Sequence, residues 1–261
     1  MPGRVHVETE GPIGWLVFDH PERRNAVSVG MWEAVPDRAA ELDADPGVRV
    51  VVLRGAGTEA FVSGADISEF ERTRTGAGAA HAYEELGIRA FDAVARIAKP
   101  VLALIHGVCF GGGMALALSA DLRYAADDAV FAIPAARLGL GYHATGLDAL
   151  VRLVGPSVAK ELLFTARRLG AGEALARRLV NEVVPKADLE AHVRARAREI
   201  AENAPLTLRS AKLVVAELGR DPAARDPDAV RRSILACFES DDYREGVRAF
   251  LEKRRPAFHG R

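Results

Sequence analysis

Residues 105–125 read IHGVCFGGGMALALSADLRYA, and the triplet Gly111-Gly112-Gly113 at their centre sets the frame for the rest of the chain. Ahead of it, Val101 to Ile105 is an apolar run of strand type; behind it, Met114 to Ser119 is a run of small and apolar residues of helix type. Glycines between a strand and a helix leave backbone N–H groups unshielded by Cβ, and the helix dipole adds to their attraction for a developing negative oxygen. Taken alone, a triple glycine before small residues reads as a close-packing device.

Upstream, alternation in Val5 to Glu8 and Ile13 to Phe18 around Gly11-Pro12 predicts a hairpin. Ser28 is placed to cap a helix over Val29 to Asp43, Pro46-Gly47 breaks it, and the β-branched run Arg49 to Leu53 reads as a buried strand. A second helix is expected over Ala79 to Ile97, ending at Lys99-Pro100. Downstream, Asp121 to Ala126 and Ala129 to Ile133 read as short strands. From Ser157 the pattern is almost wholly helical, apart from a strand-like Val180 to Val184 and a polar break at Gly219 to Asp228. The first two-thirds is therefore α/β in alternation. The expected division is an α/β core over 1–195 and a helical region over 196–261.

A second glycine turn occurs in residues 61–70, FVSGADISEF, after the strand Arg49 to Leu53 and its loop. Gly64 allows the backbone there to face a ligand, so two turns together could clamp one carbonyl oxygen. Asp66 is read as a turn or helix cap rather than an acid catalyst.

The order of FVSGADISEF, IHGVCFGGGMALALSADLRYA and FAIPAARLGLGY resembles the crotonase superfamily, also called the enoyl-CoA hydratase/isomerase family. HPERRNAVSVGMW upstream, and GEALARRLVNEVVP, APLTLRSAK and FESDDYREGVRAFLEKRRPAFHG downstream, extend the resemblance along nearly the whole chain. The resemblance implies a crotonase-like α/β spiral of ββα units with a helical C-terminal trimerisation region, assembling as a homotrimer or hexamer. It implies an acyl-CoA thioester as substrate, with coenzyme A part of that substrate and no further cofactor. The oxyanion-hole donors would be the N–H groups of Ala65 and Gly112. Coenzyme A would meet Arg24, the Ala65, Asp66 and Ile67 backbone, and Phe250 and Lys253 of a neighbouring subunit.

The sequence departs from the family where hydratases carry two glutamates, one to activate water and one to deliver a proton. Those positions are Ala115 and Ala135, and alanine transfers no protons. Standard hydration is therefore not expected; an isomerase-like or atypical thioester reaction is, and the alternative is a non-catalytic acyl-CoA binding protein. His143 stands where two branches of the family place a catalytic aspartate. Its imidazole, with a reference pKa of about 6.5, suits proton transfer at neutral pH, and Tyr142 beside it can donate a hydrogen bond. Equally, a lone histidine in a glycine-rich loop is a surface or packing residue. Glu69, Glu71, Glu84 and Glu85 are substitute acids that read mostly as solvated helix charges, while His20 and His106 look structural.

Composition narrows the alternatives. A chain of 261 residues with 49% hydrophobic and 27% charged residues and a formal net charge of -1 is globular and lacks the basic field that would hold nucleic acid. Cys109 and Cys237 make no CxxC pair, so neither a zinc site nor a disulfide scaffold is expected, and no metal motif or dinucleotide fingerprint occurs. The N-terminus resembles neither a secretory signal nor a membrane span, so a cytoplasmic setting without membrane contact is the expectation.

Overall fold

In the computed structural model, which describes residues 3–70, 76–142 and 144–261, the N-terminal alternation folds as the expected hairpin. Strands β1 (Arg4–Glu10) and β2 (Ile13–Asp19) pair antiparallel, with Arg4 opposite Asp19. The Ser28 hydroxyl accepts a hydrogen bond from the Met31 N–H and caps α1 (Val29–Ala44), whose stripe of Met31, Trp32, Val35, Ala39 and Leu42 is buried.

A repeat of strand, strand and helix follows. It runs β3 (Val50–Gly55), β4 (Ala60–Val62) and α2 (Ala77–Arg96); then β5 (Val101–Ile105), β6 (Val108–Phe110) and α3 (Gly112–Ser119); then β7 (Leu122–Ala126), β8 (Val130–Ala132) and the short α4 (Ala135–Leu138). In each repeat the first strand joins one sheet and the second strand joins another. The larger sheet has the order β1-β2-β3-β5-β7-β10 and the smaller β4-β6-β8-β9, where β9 is Leu169–Gly170 and β10 is Glu182–Val184. Neighbours are parallel except β1 with β2 and β8 with β9.

Both faces of the larger sheet are covered, which is why its central strands read as unbroken apolar runs. Leu16, Phe18, Val51 and Leu53 face the core shared with α1 and α2. Their alternates Trp15, Val17, Val50 and Val52 pack against Leu189, Val193, Ala197 and Ala201 of α7 (Leu189–Ala201). The remaining helices are α5 (Ala144–Thr165), α6 (Ala171–Ala176), α8 (Pro205–Leu218), α9 (Pro227–Glu239) and α10 (Asp241–Leu251). Helix α5 begins earlier than the helical run from Ser157 suggests. It bends at Gly155, where φ is 78° and ψ 162°, and Pro156 restarts it.

The segment around residues 20–27 is held by one buried amide. Asn25 Oδ1 accepts from the His20 N–H at 3.0 Å, and Asn25 Nδ2 donates to the carbonyls of Ala56 at 3.0 Å and Ala60 at 2.9 Å. The turn that starts β4 is thereby tied to the loop before α1. Asn25→Ala leaves these buried groups without partners and is expected to cost about 3 kcal/mol, measured as a lowered urea midpoint with an unchanged slope. Among the described residues, no helix is long and apolar enough to cross a membrane.

Candidate acyl-thioester site

Strands β4, β6 and β8 are adjacent and parallel in the smaller sheet, so their C-terminal ends bring three turns side by side. After β4 comes Ser63-Gly64-Ala65, after β6 the glycine triplet, and after β8 Ile133-Pro134-Ala135. The first two turns approach each other backbone on backbone. A Cβ on Gly113 would stand 2.1 Å from the Val62 carbonyl oxygen, and one on Gly64, whose φ is +107°, would stand 3.2 Å from the Phe110 oxygen and 3.9 Å from the Gly112 nitrogen. Glycine at 113 is required by close approach and at 64 by the positive φ as well.

The two turns that carry the N–H groups singled out from sequence thus come together. Gly112 is the first residue of α3, where N–H groups have no partner within the helix. Ala65 forms a parallel bridge with Val27 that uses the Val27 N–H to Gly64 O (2.8 Å) and the Asp66 N–H to Val27 O (2.9 Å); its own N–H is not part of that bridge. Both turns line a cavity of about 160 Å³.

Aromatic residues close the cavity. Trp32 donates its indole N–H to the Tyr83 hydroxyl at 3.0 Å, stacks edge-on with Phe91 at 5.5 Å between ring centroids, and would touch a Cβ on Gly112 at 3.0 Å. Helix α2 contributes Tyr83, Glu84, Gly87, Ile88 and Phe91, one helical face. The opposite wall holds Leu138, Leu140, Gly141 and Tyr142, and the Tyr142 hydroxyl lies 4.0 Å from the point a Gly111 Cβ would occupy. Sequence reasoning missed Trp32 and Tyr83, which a helical stripe presents as ordinary core positions.

The first turn is braced from outside. Arg23 Nη1 donates to Asp66 Oδ1 at 2.8 Å and to Ser68 Oγ at 2.6 Å. The Asp66 carboxylate accepts from the Ser68 N–H at 3.0 Å and caps the 3₁₀ turn Ile67–Glu69, the capping role read from sequence. Burial alone would raise its pKa, but the Ser68 hydroxyl and N–H and the Arg23 guanidinium outweigh this and hold it below the ordinary aspartate value. Glu69 accepts from the Val29 N–H at 2.8 Å, at the start of α1. Arg24, left-handed at φ 51° and exposed, is joined to the site through its carbonyl, which accepts from the Ser63 N–H at 3.1 Å.

Other predicted residues fall as follows. Ala135 lines the cavity and Ala115 is buried behind it in α3, so methyl groups occupy both positions that the family resemblance singles out. Glu84 is the carboxylate among the described residues lining the cavity; His143 and Glu71 lie outside the described residues. Phe250 lines a separate groove formed by α8, α9 and α10 and is 83% exposed, and Lys253 follows α10. The His20 imidazole donates to the Ala26 carbonyl at 3.0 Å, and burial pushes His106 below the ordinary histidine range, so both fit packing roles. Burial likewise pushes the Cys109 thiol up, keeping it protonated.

Comparison with known proteins gives this geometry a family. The family model for enoyl-CoA hydratase/isomerase matches residues 8–261. A crotonyl-CoA hydratase from Syntrophomonas wolfei is 33% identical over 254 residues, 97% of each chain, and a carnitinyl-CoA dehydratase from Escherichia coli O157:H7 is 31% identical over 265 residues, the whole of both. The crystal structure of an enoyl-CoA hydratase/carnithine racemase from Magnetospirillum magneticum superposes with a TM-score of 0.94 at 37% identity, covering 98% of this chain and 96% of that one. With its alternating two-sheet spiral, its paired glycine turns and these full-length likenesses, the chain belongs to the enoyl-CoA hydratase/isomerase family.

Proposed function

We propose that the N–H groups of Ala65 and Gly112 hold the carbonyl oxygen of an acyl-CoA thioester and stabilise its enolate, and that the reaction is isomerase-like or atypical rather than two-glutamate hydration. The observation that carries this reading is the 3.9 Å separation between the Gly112 nitrogen and the Cβ position of Gly64, which brings both turns to one cavity wall. Two preoriented donors in a largely apolar cavity lower the cost of charge on that oxygen, each by about 3 kcal/mol in comparable sites. Adding water across a double bond needs in addition a base for the water and an acid for the carbon. With Ala115 and Ala135 at the usual positions, one proton carrier suffices only for exchange or migration of a proton next to the thioester.

His143 is our candidate for that carrier, supported by its place in the chain directly after Gly141 and Tyr142, which line the cavity. In deuterated water, exchange at the acyl α-carbon is expected to fall about 10²–10⁴-fold in His143→Ala and to stay within a few-fold in Glu84→Gln. Mass spectrometry over 2-enoyl, 3-enoyl, dienoyl, saturated and aromatic thioesters reads this directly. The reverse pattern would move the role to Glu84. Tight binding without exchange on any thioester would favour a non-catalytic acyl-CoA binding protein, which the two alanines would also permit.

The coenzyme A moiety enters as part of the substrate, with Arg24 and the Ala65, Asp66 and Ile67 backbone as the candidates for its contacts. Phe250 and Lys253 would contribute from a neighbouring subunit of a homotrimer or hexamer. Exposed apolar residues on the tail, Phe250 at 83% and Leu251 at 75%, support an assembly that covers them.

A further inference from the structure

Behind the acyl cavity lies a groove of about 830 Å³ between α2, α3, α5 and α8. The two spaces share wall residues: Phe91 and Gly146 line both. Ala115 lines the groove, and its methyl carbon is 4.0 Å from the point a Cβ on Gly146 would occupy. Where the two spaces meet stand the Ala115 methyl group, the bare backbone of Gly146 and the Phe91 ring. A glutamate at 115 would set a carboxylate there, which an alkyl chain could pass only by desolvating it. Alanine removes that barrier. Beyond this point the groove presents Leu118, Leu122, Ala149, Leu208, Ala211 and Val215, with Asp92, Asp148, Arg152 and Lys212 also along it.

We propose that a long acyl tail threads between Ala115, Gly146 and Phe91 into this groove, so that the protein takes long-chain acyl-CoA thioesters. The proposal rests on the acyl-CoA reading above and names its substrate class. The same substitution that removes a proton carrier from the site opens a route for the tail. Apolar walls reward each buried methylene by about fourfold in affinity, so affinity should climb with chain length after the cavity itself is full.

The test uses the full chain with butanoyl-, octanoyl-, dodecanoyl- and hexadecanoyl-CoA, measuring Kd by calorimetry. Wild type is expected to bind the dodecanoyl and hexadecanoyl thioesters at least about 10²-fold more tightly than butanoyl-CoA. Val215→Glu, on the α8 wall of the groove and outside the acyl cavity, should keep butanoyl-CoA affinity within about threefold and lose that gain. Val215 is 69% exposed, so the variant is compatible with the fold. Ala149→Glu, one helical turn beyond Gly146 along α5, puts a carboxylate in the groove itself and should also abolish the gain while sparing butanoyl-CoA. Butanoyl-CoA binding with no gain for longer chains in wild type, or a gain retained in both variants, overturns the proposal and leaves the acyl-CoA reading standing. Absence of binding at every length overturns both. If a second copy of the chain covers the groove, Ala149→Glu instead lowers the association state and the wild-type chain-length profile is flat, which also overturns it.

Discussion

Replacing Ala65 by proline is expected to lower α-proton exchange on an acyl-CoA thioester by about 10²–10³-fold, because it exchanges the N–H that we propose for the thioester oxygen for a ring methylene that cannot donate. The two hydrogen bonds that hold the turn, Val27 N–H to Gly64 O and Asp66 N–H to Val27 O, use other atoms. A loss confined to the rate, with circular dichroism and the urea midpoint retained, identifies the donor. Unchanged exchange would remove Ala65 from the mechanism.

Gly113→Ala is expected to be the most damaging single methyl in the site. Its Cβ would lie 2.1 Å from the Val62 oxygen and 2.8 Å from the Val62 Cβ, and the first of these is backbone that cannot turn aside. Helix α3 must then move off β4 and carry the Gly112 N–H with it. We expect about 3 kcal/mol of destabilisation in urea, at the upper end of overpacking costs. Exchange activity should fall with it. The neighbouring Gly87→Ala serves as the control: its Cβ would meet only the Phe91 ring, at 3.6 Å, and stability should change by less than about 1 kcal/mol.

Much of this arrangement is legible in the chain itself. Long apolar strands flanked by breaks, the Ser28 cap and the two glycine turns carry local signals that survive tertiary packing, and the helix over Ala77–Arg96 lies within two residues of its expected bounds. The smaller sheet is less legible because strands such as Ala60–Val62 and Val108–Phe110 are three residues long, too short for a period to show. Yet that sheet decides the site, since its parallel order aligns the turns. Arg23 and Arg24 are adjacent, and nothing local distinguishes the one paired with Asp66 from its exposed neighbour. Trp32 is a further case: its helical spacing announces burial, but only the fold puts its ring against Gly112. The proximity of Ala115 to Gly146 joins residues distant in sequence, and no pattern within either segment announces it.

The infrared C=O stretch of a saturated acyl-CoA bound to the protein, labelled with ¹³C at the thioester carbonyl, reads the central claim at the atom concerned. Two donors converging on that oxygen predict a stretch shifted to lower frequency on binding, and a smaller shift in Ala65→Pro. A bound thioester whose stretch stays at its free-solution frequency, in wild type and variant alike, would contradict the assignment of Ala65 and Gly112 as the groups that hold it.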